Sequence, residues 1–272
     1  MIFNTRIEKK VSIVIPAHNE EHRIGKTLED YLSFFNKLKQ EKKIDFEIVV
    51  VLNACKDNTK IVVERFNCKE LIVLNFERGG KGFAVVEGFK NALTRSNYLI
   101  GFVDADNSTL PKAFYGLIKN INNYDGVIAN RWDRRSIVSP KQNLFRRFIG
   151  RIFNLTVRSL FFFTHNDTQC GAKLFKRELI EKVYPRLGSS EWSFDVDLLF
   201  YSRLFGFRIK SIPTEWHDKK GSKINIKKTP GRMFFSVARL RLVHSPFDFI
   251  LRFHQKLPRK LQVGYWFGQT NK

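Results

Sequence analysis

The sequence contains few cysteines and no paired cysteine motif. Its 272 residues include three cysteines, Cys55, Cys68 and Cys170, and none belongs to a C-x-x-C pair. An odd number of widely separated cysteines favours neither a disulfide framework nor a thiolate zinc site. This cysteine usage is typical of a protein in a reducing, cytosolic compartment.

Long apolar runs are also absent. No run reaches the roughly 18 to 20 apolar residues that a membrane-spanning helix needs. The first ten residues, MIFNTRIEKK, lack the apolar core of a secretory signal peptide. We therefore expect a cytoplasmic protein, and its association with a membrane surface is a separate question.

Acidic residues are scarce relative to basic ones. The chain has 48 Lys and Arg against 26 Asp and Glu, which gives a net charge of +22. Such an excess predicts a polyanionic partner, namely nucleic acid, an anionic membrane or phosphorylated substrates. Residues 141–163 contain no acidic residue, and from residue 219 onward the only one is Asp248. Both stretches are rich in Phe, Leu, Ile and Val, so the excess positive charge coincides with apolar sequence.

The first half of the chain alternates short β-branched runs with helical patterns. This alternation predicts an α/β fold with a mainly parallel sheet and right-handed crossovers, and 43% hydrophobic content can fill one sizeable core. The predicted strands are 11–15, 46–52, 71–75, 98–103 and 126–129, and the predicted helices are 24–38, 82–93 and 111–121.

Two carboxylates follow the predicted strand 98–103, in the sequence Asp104-Ala-Asp106. Open α/β sheets bind ligands beyond the carboxyl ends of their strands, and carboxylate oxygens are ligands for hard cations such as Mg²⁺ or Mn²⁺. We therefore predict that Asp104 and Asp106 hold a divalent metal ion and, through it, a diphosphate. The simpler interpretation is that these residues cap a turn.

Three other loops are expected at the same edge of the sheet. The first strand ends in Pro16-Ala-His-Asn-Glu20, and the second ends at Asn53. A turn, Arg78-Gly-Gly-Lys-Gly82, opens the helix 82–93, and helix N-termini suit anions. It is not a P-loop, because Gly follows Lys81 where Ser or Thr would be needed. These loops and the D-A-D sequence are predicted to converge on one site.

Residues 144–163 have the pattern of an amphipathic helix. One stripe is polar and basic (Arg146, Arg147, Gly150, Arg151, Asn154 and Arg158), and another is apolar (Phe145, Phe148, Ile149, Ile152, Phe153 and Leu160). This pattern predicts a helix lying in a membrane interface, although a core-packing helix with solvated arginines is the alternative. A second such segment, 230–255, opens at Pro230 and places Met233, Phe234, Val237 and Leu240 opposite Arg232, Ser236 and Arg239. We therefore predict a catalytic domain over 1–225 and a basic amphipathic C-terminal extension over 226–272.

The order of these motifs resembles glycosyltransferase family 2, the inverting nucleotide-sugar enzymes with a Rossmann-like, GT-A type domain. Val14-Ile-Pro-Ala-His-Asn-Glu20 is similar to the opening motif of the family, and Asp104-Ala-Asp106 to its D-x-D. The sequences RGGKG (78–82), FVDAD (102–106), DTQCGAKLF (167–175), WSFDVDLL (192–199) and GSK (221–223) resemble dolichyl-phosphate glucose and mannose synthases in particular. The resemblance covers about residues 10 to 225.

The resemblance implies transfer of a hexose from a UDP- or GDP-sugar to a polyprenyl phosphate at the cytoplasmic membrane face. It implies a nucleotide site at Pro16, Glu20, Asn53, Lys81 and Asp104, and a metal and diphosphate at Asp104 and Asp106. The position of Asn53 is often Asp in the family. Membrane-spanning helices of many relatives are absent, so the two amphipathic segments would attach the protein to an anionic membrane, or a partner subunit would anchor it.

A phosphate acceptor also defines the expected catalytic chemistry. A phosphate monoester is largely an oxyanion at neutral pH, so it needs cations to place it rather than a strong base. The candidates for acceptor contact are Arg131, Gln169, Lys173 and Lys223, with Asp195 as a further catalytic candidate. The alternative is a family 2 transferase that acts on a sugar hydroxyl of a lipid-linked glycan. That reaction needs a base, for which Asp195 or Asp197 would serve.

Two unrelated functions compete with a transferase. His18-Asn-Glu-Glu-His22 matches the H-x-x-E-H pattern of inverted zinc proteases, which requires both histidines on one helix. Pro16 and the preceding strand favour a loop there instead. A nucleic-acid-binding protein is suggested by charge alone, but the basic residues alternate with Phe, Leu and Ile at helical spacing, so we expect no nucleic-acid partner.

Overall fold

The structure is a computed structural model that describes residues 10–140, 144–187 and 194–219, together with 234, 237, 238 and 240–242. Within these residues the strands are β1 (Lys10–Ala17), β2 (Asp45–Asn53), β3 (Leu71–Phe76), β4 (Leu99–Val103), β5 (Gly126–Asn130), β6 (Ile137–Ser139), β7 (Ala172–Lys176), β8 (Ile209–Pro213) and β9 (Glu215–His217). The α-helices are α1 (Ile24–Gln40), α2 (Thr59–Glu64), α3 (Lys81–Leu93), α4 (Pro111–Lys119), α5 (Leu144–Phe161), α6 (Arg177–Val183) and α7 (Phe194–Leu204).

Seven strands form one sheet in the order β3-β2-β1-β4-β7-β5-β8. All neighbouring pairs are parallel except those of β7, which runs antiparallel to both β4 and β5. The prediction of an α/β fold with a mainly parallel sheet is confirmed. The five predicted strands correspond to β1 to β5, and the three predicted crossover helices correspond to α1, α3 and α4.

The central strands are buried on both faces because helices cover the sheet from both sides. Along β1, Ile13 and Ile15 pack into the apolar cluster beneath α1 and α4, whereas Val14 between them packs into the cluster beneath α3, α6 and α7. This alternation follows from the two-residue period of a strand. It explains why β1 is apolar at every position from Ile13 to Ala17 rather than at every second one.

A second, two-stranded sheet lies over the loop that follows β4. Its strands β6 and β9 are parallel, and Trp216 of β9 also forms a bridge with Thr109. The backbone N–H of His217 donates to the carbonyl of Ser108 at 2.8 Å. These contacts place Trp216 next to the carboxyl end of β4, although it lies more than 100 residues further along the chain.

Helix α5 presents apolar side chains on two different sides. Val157 and Phe161 are buried in the sheet-facing cluster, and Phe153 and Leu160 pack against it. In contrast, Phe148, Ile152, Leu155 and Phe162 beyond the helix end are exposed, at 62%, 50%, 62% and 69%. The core-packing interpretation therefore holds for one side of this helix. The other side is apolar and exposed, and the interfacial interpretation stays a prediction. No helix among the described residues is long and apolar enough to cross a membrane.

The predicted polar stripe of α5 needs one correction. Asn154 is buried, and its Nδ2 donates to the carbonyl of Asn166 while its Oδ1 accepts from Thr168 Oγ1 at 3.3 Å. This residue therefore attaches the helix to the protein and does not lie on a solvated face. Of the predicted segment 230–255, Val237 is buried in the core and Leu240 packs against it, whereas Phe234 is 51% exposed. The remainder of that segment, and most of the predicted extension 226–272, lies outside the described residues.

Candidate active site

The D-A-D sequence lies directly after β4, at the carboxyl edge of the sheet. Asp106 Oδ1 accepts the backbone N–H of Ser108 at 2.9 Å, so this carboxylate caps the turn. Asn107 between them has a left-handed φ of 59°, a conformation that Asn tolerates better than most residues. The turn-capping interpretation therefore holds for Asp106. Its predicted role as a metal ligand is compatible with the cap, because the cap uses only one lone pair of one oxygen.

Helix α1 holds this turn from one side. Thr27 Oγ1 donates to the carbonyl of Ala105 at 2.7 Å, and Tyr31 OH donates to the carbonyl of Thr109 at 2.7 Å. Asp30 Oδ2 accepts from Nδ2 of Asn107, also at 2.7 Å. Positions 27, 30 and 31 share one face of a helix because they are three and four residues apart. Three separate contacts therefore fix the backbone that carries both carboxylates.

A cleft of about 200 Å³ opens at this edge, and we call it the carboxylate cleft. Its lining residues come from the carboxyl ends of β1 and β2, the first residue of α3, and the loops that follow β1 and β4. They are Pro16, His18, Glu20, Asn53, Lys81, Asp104, Ala105 and Asp106. The structure thus brings together every residue predicted to bind nucleotide and both residues predicted to bind metal.

Lys81 and Asp104 form the central ion pair of this cleft. Lys81 is the first residue of α3, after Gly80 with a φ of 122°, and its Nζ lies 2.5 Å from Asp104 Oδ1. Burial disfavours the charged ammonium, but Asp104 and Asp195 outweigh it and raise the pKa of Lys81. Burial, together with nearby Asp106 and Asp195, raises the pKa of Asp104, whereas Lys81 opposes that change. The ammonium therefore stays charged and offsets part of the negative charge.

Arg131 lies just after β5 and is held by Asp167. Its Nε and Nη2 donate to the two carboxylate oxygens at 2.7 and 3.0 Å, and its backbone N–H donates at 2.9 Å. Although burial alone would raise it, the pKa of Asp167 is lowered by the Arg131 charge and hydrogen bonds. The guanidinium also lies 5.3 Å from the ring centroid of Trp216. Asp167 is 1% exposed, so this is a buried pair with a fixed orientation.

Arg131 lines a second cavity, of about 260 Å³, which we call the arginine cavity. The lining residues come from β6, β9, the loop after β5 and the start of α5. They are Arg131, Trp132, Asp133, Ser136, Val138, Arg147, Arg151 and Trp216. Arg151 lies 5.3 Å from the ring of Trp132. The basic side of α5 therefore faces this cavity, and three arginines converge there.

Comparison with known proteins identifies the family. The family described as Glycosyl transferase family 2 matches residues 12–184, which include both carboxylates of the D-A-D sequence. The chain belongs to glycosyltransferase family 2. The transferase is 30% identical over 246 residues to a dolichyl-phosphate beta-glucosyltransferase of Dictyostelium discoideum. This alignment covers 85% of this chain and 73% of that protein. It is also 30% identical to the enzyme of that name from Saccharomyces cerevisiae, over 86% and 75% of the two chains.

Solved structures share the fold of the transferase. Glucosyl-3-phosphoglycerate synthase of Mycobacterium tuberculosis, in complex with Mg²⁺ and uridine diphosphate, superposes with a TM-score of 0.64 at 16% identity. The match covers 86% of this chain and 79% of that one. A second structure of that synthase contains Mn²⁺, UDP-glucose and phosphoglyceric acid, with a TM-score of 0.63. This likeness, at such low identity, supports the Rossmann-like, GT-A type fold that the motifs predicted.

The donor set of the carboxylate cleft fits a hard divalent cation. Asp104 and Asp106 supply oxygen ligands, and among the described residues no group of three His, Cys, Asp or Glu could hold a metal alone. Mg²⁺ and similar ions commonly bind through one or two carboxylates together with the phosphates of a substrate. Asp104 and Asp106 would supply protein ligands to such an ion, and the oxygens of a bound diphosphate would supply others.

Two residues predicted to bind nucleotide also have structural partners. Glu20 accepts hydrogen bonds from Nε and Nη2 of Arg23, both at 2.6 Å. Asn53 is 2% exposed, with Nδ2 donating to the carbonyl of Ala17 at 2.8 Å and Oδ1 accepting the Gly80 N–H at 3.1 Å. Asn53 thus ties the end of β1 to the turn before α3. Their predicted contacts with nucleotide stay predictions.

The structure places Lys173 in the protein interior, not on the surface. Its side chain is fully buried, with Nζ donating to the carbonyl of Cys170 at 2.7 Å and to Asp195 Oδ1. Nζ also lies 5.3 Å from the ring of Phe102. The predicted contact of Lys173 with an acceptor phosphate is therefore replaced by a different role, in which Lys173 fixes Asp195 at the start of α7. Asp195 itself is 13% exposed.

The remaining predicted residues have mixed outcomes. The backbone N–H of Gln169 donates to Asp167 Oδ1 at 3.2 Å, and its Nε2 is buried without a hydrogen-bond partner in the described part of the chain. Lys223 lies outside the described residues.

The protease alternative fails on geometry, because α1 begins at Ile24 and both His18 and His22 precede it. Sequence reasoning missed Trp132 and Trp216, and only their amphipathic character could have pointed to a site.

Proposed function

We propose that the chain transfers glucose from UDP-glucose to a polyprenyl phosphate of the dolichyl type, with inversion at the anomeric carbon. The observation that supports this most is the pairing of an acidic cleft with a basic cavity at one edge of the sheet. Trp216 forms a bridge with Thr109 in the loop that follows the D-A-D sequence and lies 5.3 Å from the guanidinium of Arg131, so the two sites lie close together. A donor diphosphate and an acceptor phosphate need such neighbouring sites of opposite character.

The carboxylate cleft is the proposed donor site. Mg²⁺ or Mn²⁺ held by Asp104 and Asp106 would neutralise charge on the leaving diphosphate. Lys81 and the N-terminus of α3 supply further positive charge there. UDP-glucose is favoured over a GDP-sugar because the relatives are named as glucosyltransferases and solved neighbours contain UDP.

The arginine cavity is the proposed acceptor site. Arg131 uses one N–H of Nε and one of Nη2 for Asp167, which leaves both N–H groups of Nη1 and the second one of Nη2 as donors for a phosphate. Arg147 and Arg151 line the same cavity. Its one carboxylate, Asp133, is itself paired with Arg135 at 2.9 Å. The acceptor phosphate is already an oxyanion near neutral pH, so it attacks without a protein base.

Helix α5 links this cavity to a membrane surface in the proposed arrangement. Its basic side lines the cavity, and its exposed apolar residues point away from the sheet-facing cluster. Arg203 Nη1 donates to the carbonyl of Phe161 at 2.9 Å, which places the end of α7 beside the end of α5. Leu204 there is 58% exposed and Phe205 is 38% exposed. A basic, apolar surface of this kind suits the cytoplasmic face of an anionic membrane.

The hydroxyl-acceptor alternative receives less support. It needs a general base, and its best candidate, Asp195, is already bonded to the buried ammonium of Lys173. A cavity lined by three arginines suits a phosphate better than a neutral hydroxyl. The polyprenyl phosphate is therefore the acceptor that we propose.

The acceptor is tested by supplying UDP-glucose with Mn²⁺ and comparing polyprenyl phosphate, polyprenol and a free glycan. We expect product only with the phosphate, as a β-linked glucosyl phosphate. Arg131→Ala is a poor probe, because it leaves Asp167 buried without its partner. The double variant Arg147→Ala/Arg151→Ala should raise the KM for polyprenyl phosphate by about 10- to 100-fold, with the KM for UDP-glucose unchanged.

Arg65→Ala is the matched control, since Arg65 is an exposed arginine that directly follows α2. It should leave both KM values unchanged. Transfer to polyprenol or to the glycan, with the phosphate inert, would overturn the acceptor assignment. Equal effects of the double variant on both KM values would remove the arginine cavity from acceptor binding.

A further inference from the structure

Gly171 lies directly opposite Asp104 across two antiparallel strands. The β4–β7 pairing ends with Val103 opposite Ala172, and the ladder continues one step further because the Asp104 N–H donates to the carbonyl of Gly171 at 3.1 Å. Side chains of directly opposed residues in an antiparallel pair are close neighbours. Because Gly171 has no side chain, no side chain of the neighbouring strand lies opposite that of Asp104.

The carboxylate of Asp104 occupies the space that a side chain at position 171 would take. A Cβ on Gly171 would lie 1.7 Å from Asp104 Oδ2 and 2.3 Å from its Cγ. The other oxygen, Oδ1, lies 2.5 Å from Lys81 Nζ. The carboxylate is thus confined between the bare Cα of Gly171 and the ammonium of Lys81.

Conformational freedom does not account for a glycine here. The φ of Gly171 lies outside the left-handed region, so alanine would suit this backbone. The three atoms nearest to a Cβ at position 171 all belong to the carboxylate of Asp104, which would have to move to admit a side chain. Glycine is therefore required at this position by the placement of the Asp104 carboxylate and not by the conformation of a turn.

We propose that Gly171 is a positioning residue for the donor site, since it lets the Asp104 carboxylate lie across β7 and contact Lys81. This inference rests on the proposed function in one respect, because Asp104 is assigned to the diphosphate and metal. A Cβ at position 171 displaces the carboxylate by more than an ångström, since ordinary contacts begin near 3.4 Å. Displacements of that size in a catalytic group can reduce turnover about 100-fold.

The test compares Gly171→Ala with Gly116→Ala. Gly116 lies in α4, and a Cβ there would meet nothing within 4 Å. We expect Gly171→Ala to lower kcat/KM for UDP-glucose about 100-fold and to weaken Mn²⁺-dependent UDP binding, with the KM for polyprenyl phosphate unchanged. Gly116→Ala should leave all three quantities unchanged. Unchanged donor kinetics in Gly171→Ala, or equal changes for donor and acceptor, would overturn the proposal.

A double variant separates this inference from the proposed function. In an Asp104→Ala background the clash is absent, so adding Gly171→Ala should change neither nucleotide binding nor the thermal midpoint any further. In the wild-type background it should lower the thermal midpoint measurably. UDP and GDP, each with MnCl₂, are the binding probes. If the wild type binds neither, the proposed function fails, while the thermal coupling between positions 171 and 104 still decides the inference; equal midpoint changes in both backgrounds would overturn it.

Discussion

At the scale of single residues, the two carboxylates of the D-A-D sequence have different surroundings. Asp104 contacts Lys81 and lies across Gly171, whereas Asp106 accepts one backbone hydrogen bond from Ser108. Asp104 therefore has its charge partly neutralised within the protein. Asp106 contributes negative charge to the cleft and also stabilises the turn through this hydrogen bond. An amide at this position would keep the hydrogen bond and remove the charge.

Asp106→Asn should abolish metal-dependent nucleotide binding while leaving the fold intact. The Asn side-chain oxygen can still accept the Ser108 N–H, so only the negative charge is lost. We expect Mn²⁺-dependent binding of UDP, followed by calorimetry, to fall below detection. The free energy of unfolding, measured by urea denaturation, should change by less than about 0.5 kcal/mol.

The control for this variant is Glu29→Gln, which neutralises an exposed carboxylate of α1 that contacts only Lys26 among the described ion pairs. It should bind UDP and Mn²⁺ as the wild type does. If Asp106→Asn retained metal-dependent binding, the metal would have to be assigned to Asp104 and the diphosphate alone.

Sequence reasoning located the residues of the carboxylate cleft because each follows a readable strand. It missed the partners of those residues, since a partner depends on three-dimensional contact. Lys173 was predicted to contact an acceptor phosphate, yet it is buried next to Phe102 and bonded to Asp195. Trp216 gave no signal because its contact with Arg131 joins positions 85 residues apart. Local sequence patterns identify the strand or loop on which a residue lies, but they do not identify the residues that it contacts from distant parts of the chain.

At the scale of secondary structure, helix α5 differs most from an ordinary surface helix. Its sheet-facing side is apolar, its cavity side carries Arg147 and Arg151, and its outer side carries Phe148, Ile152 and Leu155. A helix that only packed on a core would need one apolar side. The additional apolar side therefore indicates a second apolar environment, which we propose is the membrane interface.

Replacing Phe148, Ile152 and Leu155 with Ser should release the protein from anionic vesicles. The three side chains are at least half exposed, so their loss leaves the core unchanged. Removing three apolar side chains from the lipid interface should weaken partitioning about 100-fold or more. Flotation with phosphatidylserine vesicles measures the partitioning, and thermal unfolding measures the stability, which should be retained.

The matched control replaces three exposed apolar residues elsewhere, Ile61, Val73 and Tyr98, with Ser. These lie on α2, on β3 and just before β4, away from α5 in the chain. The control should float as the wild type does. Equal loss of flotation in both triple variants would indicate nonspecific adhesion, and unchanged flotation of the α5 variant would show that this side does not contact lipid.

Strand β7 shows why some elements could not be predicted. Its sequence, Ala-Lys-Leu-Phe-Lys, is five residues long and includes two lysines, so it lacks the apolar run of the central strands. It nevertheless lies between β4 and β5, where the buried Lys173 is paired with Asp195. A buried lysine in a strand is readable only once its partner on a distant helix is known. The antiparallel direction of β7 likewise depends on this tertiary placement.

At the scale of the whole molecule, the sheet order gathers the donor loops on one edge. The strands β1, β2, β3 and β4 are parallel neighbours, so their carboxyl ends open onto the same cleft. This part of the architecture was predictable, since alternating strands and helices impose it. The arginine cavity was not, because β6, β9 and α5 meet there from separate regions of the chain.

Nucleotide should stabilise the whole domain, and the choice of base should be visible in that stabilisation. A ligand at ~100 times its Kd adds about 2.7 kcal/mol, or roughly 5 to 10 °C in a domain of this size. We expect this thermal shift with UDP and MnCl₂, little shift with GDP and MnCl₂, and none with MnCl₂ alone. A larger shift with GDP would replace UDP-glucose by a GDP-sugar as the proposed donor, without affecting the family assignment.

The positions of the cavity side and the outer side of α5 determine which part of an acceptor lipid the protein would contact. In the proposed orientation, the cavity with Arg147 and Arg151 opens at the depth of the lipid headgroups, while Phe148 and Leu155 lie just below it. Only the phosphate and the first few carbons of an acceptor would then touch protein, and the rest of the hydrocarbon tail would remain in the bilayer. A transferase oriented in this way would select a headgroup and tolerate polyprenyl chains of many lengths, because the membrane, not a protein tunnel, would solvate the tail.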